Sequence, residues 1–530
     1  RLLRDDATAL ASSAQDEQGY ASGALVWHFE LAPHATREVD IAAPMSGALP
    51  PLPSSDDAER WIAHESDRVA ADWHSRLDRV GLTLPPAAKA LADALRTAHA
   101  HILLTRDGPA LRPGTRSYAR SWIRDGAMIA DALLSLGEID AARDYVEWYA
   151  PHQFANGKVP CCVDRRGSDP VPENDSHGEL IHAIAQLYRY TGDKTALAKQ
   201  WPHVAAAIGY MDTLRASETG APDPAFTGLM PASISHEGYS AKPMHSYWDD
   251  FWALTGYKDA VDVAHALGKS DDETRFAAAR DAFRSDLYRS IDLAMKAHAI
   301  DFIPGCAELG DFDATSTTIA LSPGGEQANL PQDKLHATFD RYWRGFIERR
   351  DGAKPWDDYT PYEWRVVGTF ARLGQRERSA AASNFFFETG ERPRAWNQWA
   401  EVVGREARQP RFIGDMPHGW VASDFIRSTL DRFAYERGDA IVLAAGVPAA
   451  WFDGDGFAVE RLRTPYGSLS FRVKRGGDGV TMVTDIERMP PGGIAVDLPR
   501  EWIGKTVSGD AVVKEGELRL TKPHTVIRIR

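Results

Sequence analysis

Residues 245–268 read HSYWDDFWALTGYKDAVDVAHALG, and the rest of the chain is organised around them. In the second half Leu254, Tyr257, Val261, Ala264 and Leu267 recur at spacings of three and four, the mark of an amphipathic helix. The first half breaks that pattern. Asp249 and Asp250 stand side by side between Trp248 and Phe251, with Tyr247 and Trp252 close by. Two carboxylates among aromatics are costly to bury in charged form. They can serve a helix start, where Asp caps the chain and meets the positive end of the dipole. They can also be carboxyls whose pKa an aromatic-walled cleft has raised, ready to donate a proton. This stretch alone leaves both readings open.

Helical patterns continue in both directions. They cover residues 86–104, 121–137, 139–154, 177–192 and 195–215, then 271–294, 331–349, 360–388 and 416–437. About a dozen helices with no strand pattern between them predict paired helices in a bundle or toroid over 87–452. The repeats are not alike in sequence, which argues against a solenoid. Residues 20–45 alternate apolar and polar, as the last strands of a β-sandwich over 1–50 would. A Pro/Ser-rich linker with a helix from about 58 fills 51–86. Alternation between Gly-rich turns predicts a small C-terminal β-sandwich over 453–530.

A formal charge of −14 among 530 residues argues against nucleic acid or an anionic membrane as partner. Sixteen Trp, sixteen Tyr and twenty Phe form a large aromatic stock, which sugar-binding clefts and ordinary cores both use. Cys161 and Cys162 are neighbours and Cys306 stands alone; this is no disulfide framework, although one bridge from Cys306 to the pair is conceivable. No apolar run reaches membrane-spanning length. The chain starts at Arg1 without a signal-type core, so removal of an upstream portion is expected, with a periplasmic or secreted location favoured. No metal or cofactor motif is found. Acidic loop residues such as Asp311, Asp313 and Glu326 have no calcium-loop spacing.

Chemistry concentrates in loops at helix starts. The clusters are Ser121-Trp122-Ile123-Arg124-Asp125, Glu173-Asn174-Asp175, Ser235-His236-Glu237, Trp248-Asp249-Asp250, and Trp396-Asn397-Gln398-Trp399-Ala400-Glu401 followed by His418-Gly419-Trp420. Each alone reads as capping. Together they repeat one composition at the same end of successive helices, which capping does not require.

These segments carry a resemblance. RSWIRDGAMIADAL resembles the sugar-gripping helix start of glucoamylase-type glycosidases, and VPENDSHGELIHAI their Arg-Pro-Gln-Asn-Asp stretch. SYWDDFWALTG is similar to the segment carrying their general acid, NQWAEVVG to that of the general base, and GWVASDF to the stretch that follows it. Order and spacing agree over about 120–425, for the six-hairpin (α/α)6-barrel glycosidases broadly, including rhamnosidase-like and glycoside-phosphorylase-like branches. The resemblance implies a mainly α fold, an (α/α)6 toroid of helical hairpins with β-sandwich segments at both ends. It also implies an exo-acting, inverting glycosidase acting on a carbohydrate. Asp249 would then be the proton donor and Glu401 the base, with Glu363 its rival. Arg124, Asp125 and Asp175 would bind hydroxyls, and Trp122, Trp248, Trp396 and Trp399 would line the pocket. Asp250, Glu173, His236 and His418 would be secondary contacts. Asp-Asp replaces the family's Glu-Glu, which shortens the acid by one methylene. A phosphorylase, a lyase or epimerase on the same toroid, and a non-catalytic sugar-binding protein are the alternatives.

Overall fold

The computed structural model describes residues 13, 15–18, 25–41, 43, 51, 57–355, 360–387, 401–403, 411–477, 479–514 and 517–530. The chain divides into two compact units, Arg1–His74 and Ser75–Arg530. In the first, the described residues 25–41 are exposed and contain no strand, so the strands expected over 20–45 are not found among them. Exposure explains this: none of the described residues covers the apolar side of the alternating pattern. The helix Ala58–Leu77, which runs across the division, buries no residue.

The second unit is built on a closed ring of six inner segments. These are Ile123–Ser135, Ser176–Thr191, Tyr247–Ala266, Ala314–Thr317 with its 3-10 extension Thr318–Ala320, Arg365–Arg372 and Gly419–Asp431. Each touches the next, and Gly419–Asp431 returns to Ile123–Ser135. The helices Ile139–Tyr149, Lys194–Ser217, Ser270–His298, Gln332–Arg350 and Arg376–Phe387 each follow an inner segment and pack outside the ring. The sixth outer helix, Lys89–Thr105, comes first in sequence and packs on the last inner helix, closing the circle. This is the (α/α)6 toroid.

Inner helices are buried nearly all round, and the sequence allows it. Small residues let the central pair approach: a Cβ on Gly178 would lie 2.0 Å from the Trp252 carbonyl, and one on Gly256 2.7 Å from the Gly178 Cα. The fourth inner segment is only seven residues long, too short for a period of 3.6 to show.

Two sheets make the C-terminal β region. The larger runs in the order Gly81–Thr83, Phe457–Thr464, Gly467–Gly476, Gly479–Ile486, His524–Ile529, Val507–Gly509. The smaller runs Ala511–Lys514, Glu517–Leu520, Ile494–Val496, Ala440–Leu443, Ala434–Arg437. Residues 434–437, read from sequence as helix, are thus strand, and 81–83, read as linker, form an edge. All three cysteines are free, so the conceivable Cys306 bridge is not formed. No helix among the described residues is long and apolar enough to cross a membrane.

Candidate active site

All six inner segments start on the same face of the toroid, and there a cavity of about 130 Å³ opens. Its walls include Tyr118, Trp122, Arg124, Asp125, His236, Glu237, Tyr362, Arg365, Glu401, His418 and Trp420. Helix N-termini carry partial positive charge, which suits carboxylates and electron-rich oxygens there.

Local pairing fixes each wall. Trp122 lies in the short strand Ser121–Trp122, paired with Cys162–Asp164, so Arg124 and Asp125 open the next helix. Arg124 donates to Glu173 at 2.6 Å and lies 3.6 Å from Asp175. Its guanidinium lies over the Trp420 ring at 5.0 Å. Burial, with Glu237 and Glu401 nearby, lifts the Asp125 carboxyl well above the usual range despite Arg124. Burial likewise raises Glu173, to about 7, against the pull of Arg124.

Glu401 heads a two-strand ladder in which Val402–Val403 pairs with Phe412–Ile413. Tyr362 Oη donates to its Oε1 at 2.8 Å, while Oε2 is buried without a hydrogen-bond partner. His418 Nδ1 accepts from the Val421 amide, which leaves the ring proton on Nε2, 3.6 Å from Oε2. The Asp415 carboxylate collects the amides of Arg116, Ser117 and Tyr118, and so holds Tyr118 on the wall.

His236 arrives on a strained loop. Ser235 and Glu237 both have left-handed backbones, at φ 55° and 65°, which non-glycine residues rarely adopt. The ring of His236 stacks on Trp248 at 4.7 Å. Burial lowers its pKa to about 4, so it is neutral at ordinary pH.

Asp249 is one layer further in, 1 % exposed and not on the cavity wall. Ser233 and Ser235 hydroxyls meet its two oxygens at 2.6 and 2.7 Å, and Ser235 Oγ is also 3.0 Å from His236 Nδ1. Burial and Asp175 raise the Asp249 carboxyl well above its usual range.

Of the residues read from sequence, Trp122, Arg124, Asp125, His236, Glu401 and His418 therefore meet at the cavity. Glu173, Asp175, Trp248 and Asp249 form the layer behind; Trp248 donates its indole N–H to Asp175 at 2.8 Å. Asp250 is fully buried and not on the cavity wall, accepting from the Met230 amide, because adjacent residues on a helix point about 100° apart. Glu363, the rival base, is bound by Arg349 and Tyr342 outside the ring. Trp396 and Trp399 lie outside the described residues. Tyr118, Arg365, Thr315 and Ser316 were missed; Arg365 follows directly on the Tyr362-Glu363-Trp364 segment and could have been found there.

Among the described residues one group of potential metal ligands is close together, Cys161, Cys162 and Asp169 behind Trp122. Asp311, Asp313 and Glu326 do not cluster as a calcium site would: Asp313 caps the turn at Ser316, and Glu326 pairs with Arg284 and Lys258.

No protein-family model matches the sequence, and no curated protein matches it. Solved structures do. An α-L-rhamnosidase from Dictyoglumus thermophilum matches with a TM-score of 0.59 at 13% identity, over 85% of this chain and 50% of its own. A GH78-family rhamnosidase of Bacillus SP. GL1 matches at 0.55 and 12%, over 80% and 43%. An α-L-rhamnosidase from Streptomyces avermitilis, complexed with L-rhamnose, matches at 0.53 and 14%, over 84% and 42%. The chain has the fold of these glycosidases. It spans half or less of their length.

Proposed function

We propose that the chain is an exo-acting glycoside hydrolase that removes one terminal sugar with inversion of the anomeric centre. The observation that carries this reading is Glu401: Tyr362 holds one carboxylate oxygen, the other is buried without a hydrogen-bond partner, and the residue lines a small cavity of an (α/α)6 toroid. Such an oxygen can take a proton from a water attacking the sugar. A cavity of about 130 Å³ suits one ring rather than a run of rings. Arg124 and Asp125 offer donors and acceptors for ring hydroxyls, and Trp122 and Trp420 offer apolar faces.

Asp249 holds the acid proton. It passes that proton to Ser235 Oγ as Ser235 gives its own to His236 Nδ1, and Nε2–H of His236 protonates the leaving oxygen. The distances along this relay, 2.7 and 3.0 Å, support it. One observation favours a second reading, in which Asp125 donates directly: it alone of the two acids is on the cavity wall. The structural neighbours named as rhamnosidases make deoxyhexosides the first substrates to try.

The variants separate the two. On the best substrate from a panel of aryl glycosides, the relay predicts that Asp249→Asn and Ser235→Ala each lower kcat by roughly 10²–10⁴-fold. Normal kcat in Ser235→Ala with loss only in Asp125→Asn would transfer the acid role to Asp125.

A further inference from the structure

At the opposite end of the toroid, where the inner helices finish, there is a second and larger cavity of about 680 Å³. The barrel walls it on one side, and the β region, through Tyr435, Glu436 and Tyr466, walls it on the other. Nothing in the reaction described above uses it.

Its polar groups are arranged rather than scattered. Asp131 accepts from His182 Nε2 through Oδ2 at 3.0 Å, while Nδ1 of the same ring meets Asp259 at 2.6 Å. Asp131 is more than nine-tenths buried, yet its other oxygen, Oδ1, has no hydrogen-bond partner. Gln186 Oε1 is likewise unpartnered. Unsatisfied buried acceptors are costly, so an array holding two of them is suited to a ligand that donates hydrogen bonds.

The surrounding charges narrow the class. Five Lys and Arg side chains and His182 face six carboxylates around the cavity. Arg427 is 3.7 Å from the same Asp131, and His182 is held protonated, with Asp131 and Asp259 overcoming the effect of burial. A cation at Asp131 Oδ1 would meet these positive neighbours, and an anion would meet the carboxylates. A neutral molecule rich in hydroxyls meets neither penalty and can both donate to Asp131 and Gln186 and accept from Arg427. Tyr190 and Tyr466 also line the cavity.

We propose that this far cavity is a second ligand site, for a small neutral polyol of mono- or disaccharide size, separate from the cavity around Glu401. Isothermal titration calorimetry of the full chain with L-rhamnose, D-glucose, trehalose, spermidine and inorganic phosphate tests it. At least one of the three sugars is expected to bind, and its Kd to rise tenfold or more in Gln186→Leu while that variant unfolds at an unchanged temperature. Asp131→Asn is a second variant expected to weaken the same sugar. The rise is expected also in a Glu401→Gln background, so the result does not depend on turnover at the other site. Binding of spermidine or phosphate but of no sugar would overturn the proposal. So would sugar binding that Gln186→Leu leaves unchanged.

Discussion

At the residue scale the site depends on how closely Gly414 approaches Glu401. A Cβ at 414 would stand 2.0 Å from Glu401 Oε2, inside any permissible contact. Gly414→Ala must therefore rotate the carboxylate off the cavity or push the hairpin apart. We expect kcat to fall by about 10²-fold with little change in unfolding temperature, since a displacement near 1 Å is enough for such a loss. Steady-state kinetics and a thermal melt check it, and an active Gly414→Ala enzyme would show that Oε2 is not the working oxygen. Sequence reading reached Glu401, Arg124, Asp125 and Trp122 because each sits in a compact local cluster. It could not reach Tyr118, which Asp415 holds in place from some 300 residues away. Nor could it see that Asp249 is recessed, because that depends on Ser233 and Ser235 closing over it.

At the scale of elements, three inner helices are tied by one imidazole. His182 bridges Asp131 on Ile123–Ser135 and Asp259 on Tyr247–Ala266. Burial alone would lower its pKa, but the two carboxylates raise it to about 9 from 6.5. A raised folded-state value contributes stability that is full below about 6.5 and is lost as pH rises through about 9. The shift corresponds to on the order of 3 kcal/mol. Urea unfolding from pH 6 to 9.5 should show that loss in the wild type and much less of it in His182→Gln; parallel curves would remove the bridge from the stability of the ring. The helices themselves were legible because their period of 3.6 runs through ten or more residues. The segment 314–320 and the strands 81–83 and 434–437 are too short for any period, and tertiary pairing decides them.

At the scale of the whole second unit, Arg376 joins the toroid to the β region. It lies at the start of the outer helix Arg376–Phe387, is 5 % exposed, and donates to the Ala444 and Asp497 carbonyls at 2.7 and 2.8 Å. Its removal takes a donor from both carbonyls; that of Ala444 still accepts from the Val447 amide at 3.2 Å, while that of Asp497 loses the Arg376 bond, which costs about 1–3 kcal/mol. Arg376→Ala should lower the unfolding midpoint in denaturant; an unchanged midpoint would mean that other contacts, such as that of Arg372 with the Glu436 carbonyl, join toroid and β region without it. The toroid was readable from the count and pairing of helices, whereas the edges of its β partner were not, since strands 81–83, 434–437 and 440–443 come from segments that flank the barrel.

The account rests on Glu401 activating a water at the helix-start face of the toroid. The most direct test is NMR of the first sugar released from an aryl glycoside by the wild type, beside the turnover of Glu401→Gln. The expected result is a product of inverted anomeric configuration and a kcat about 10³-fold lower in the variant, with the fold intact. A retained anomer, or a Glu401→Gln enzyme that turns over like the wild type, would contradict it.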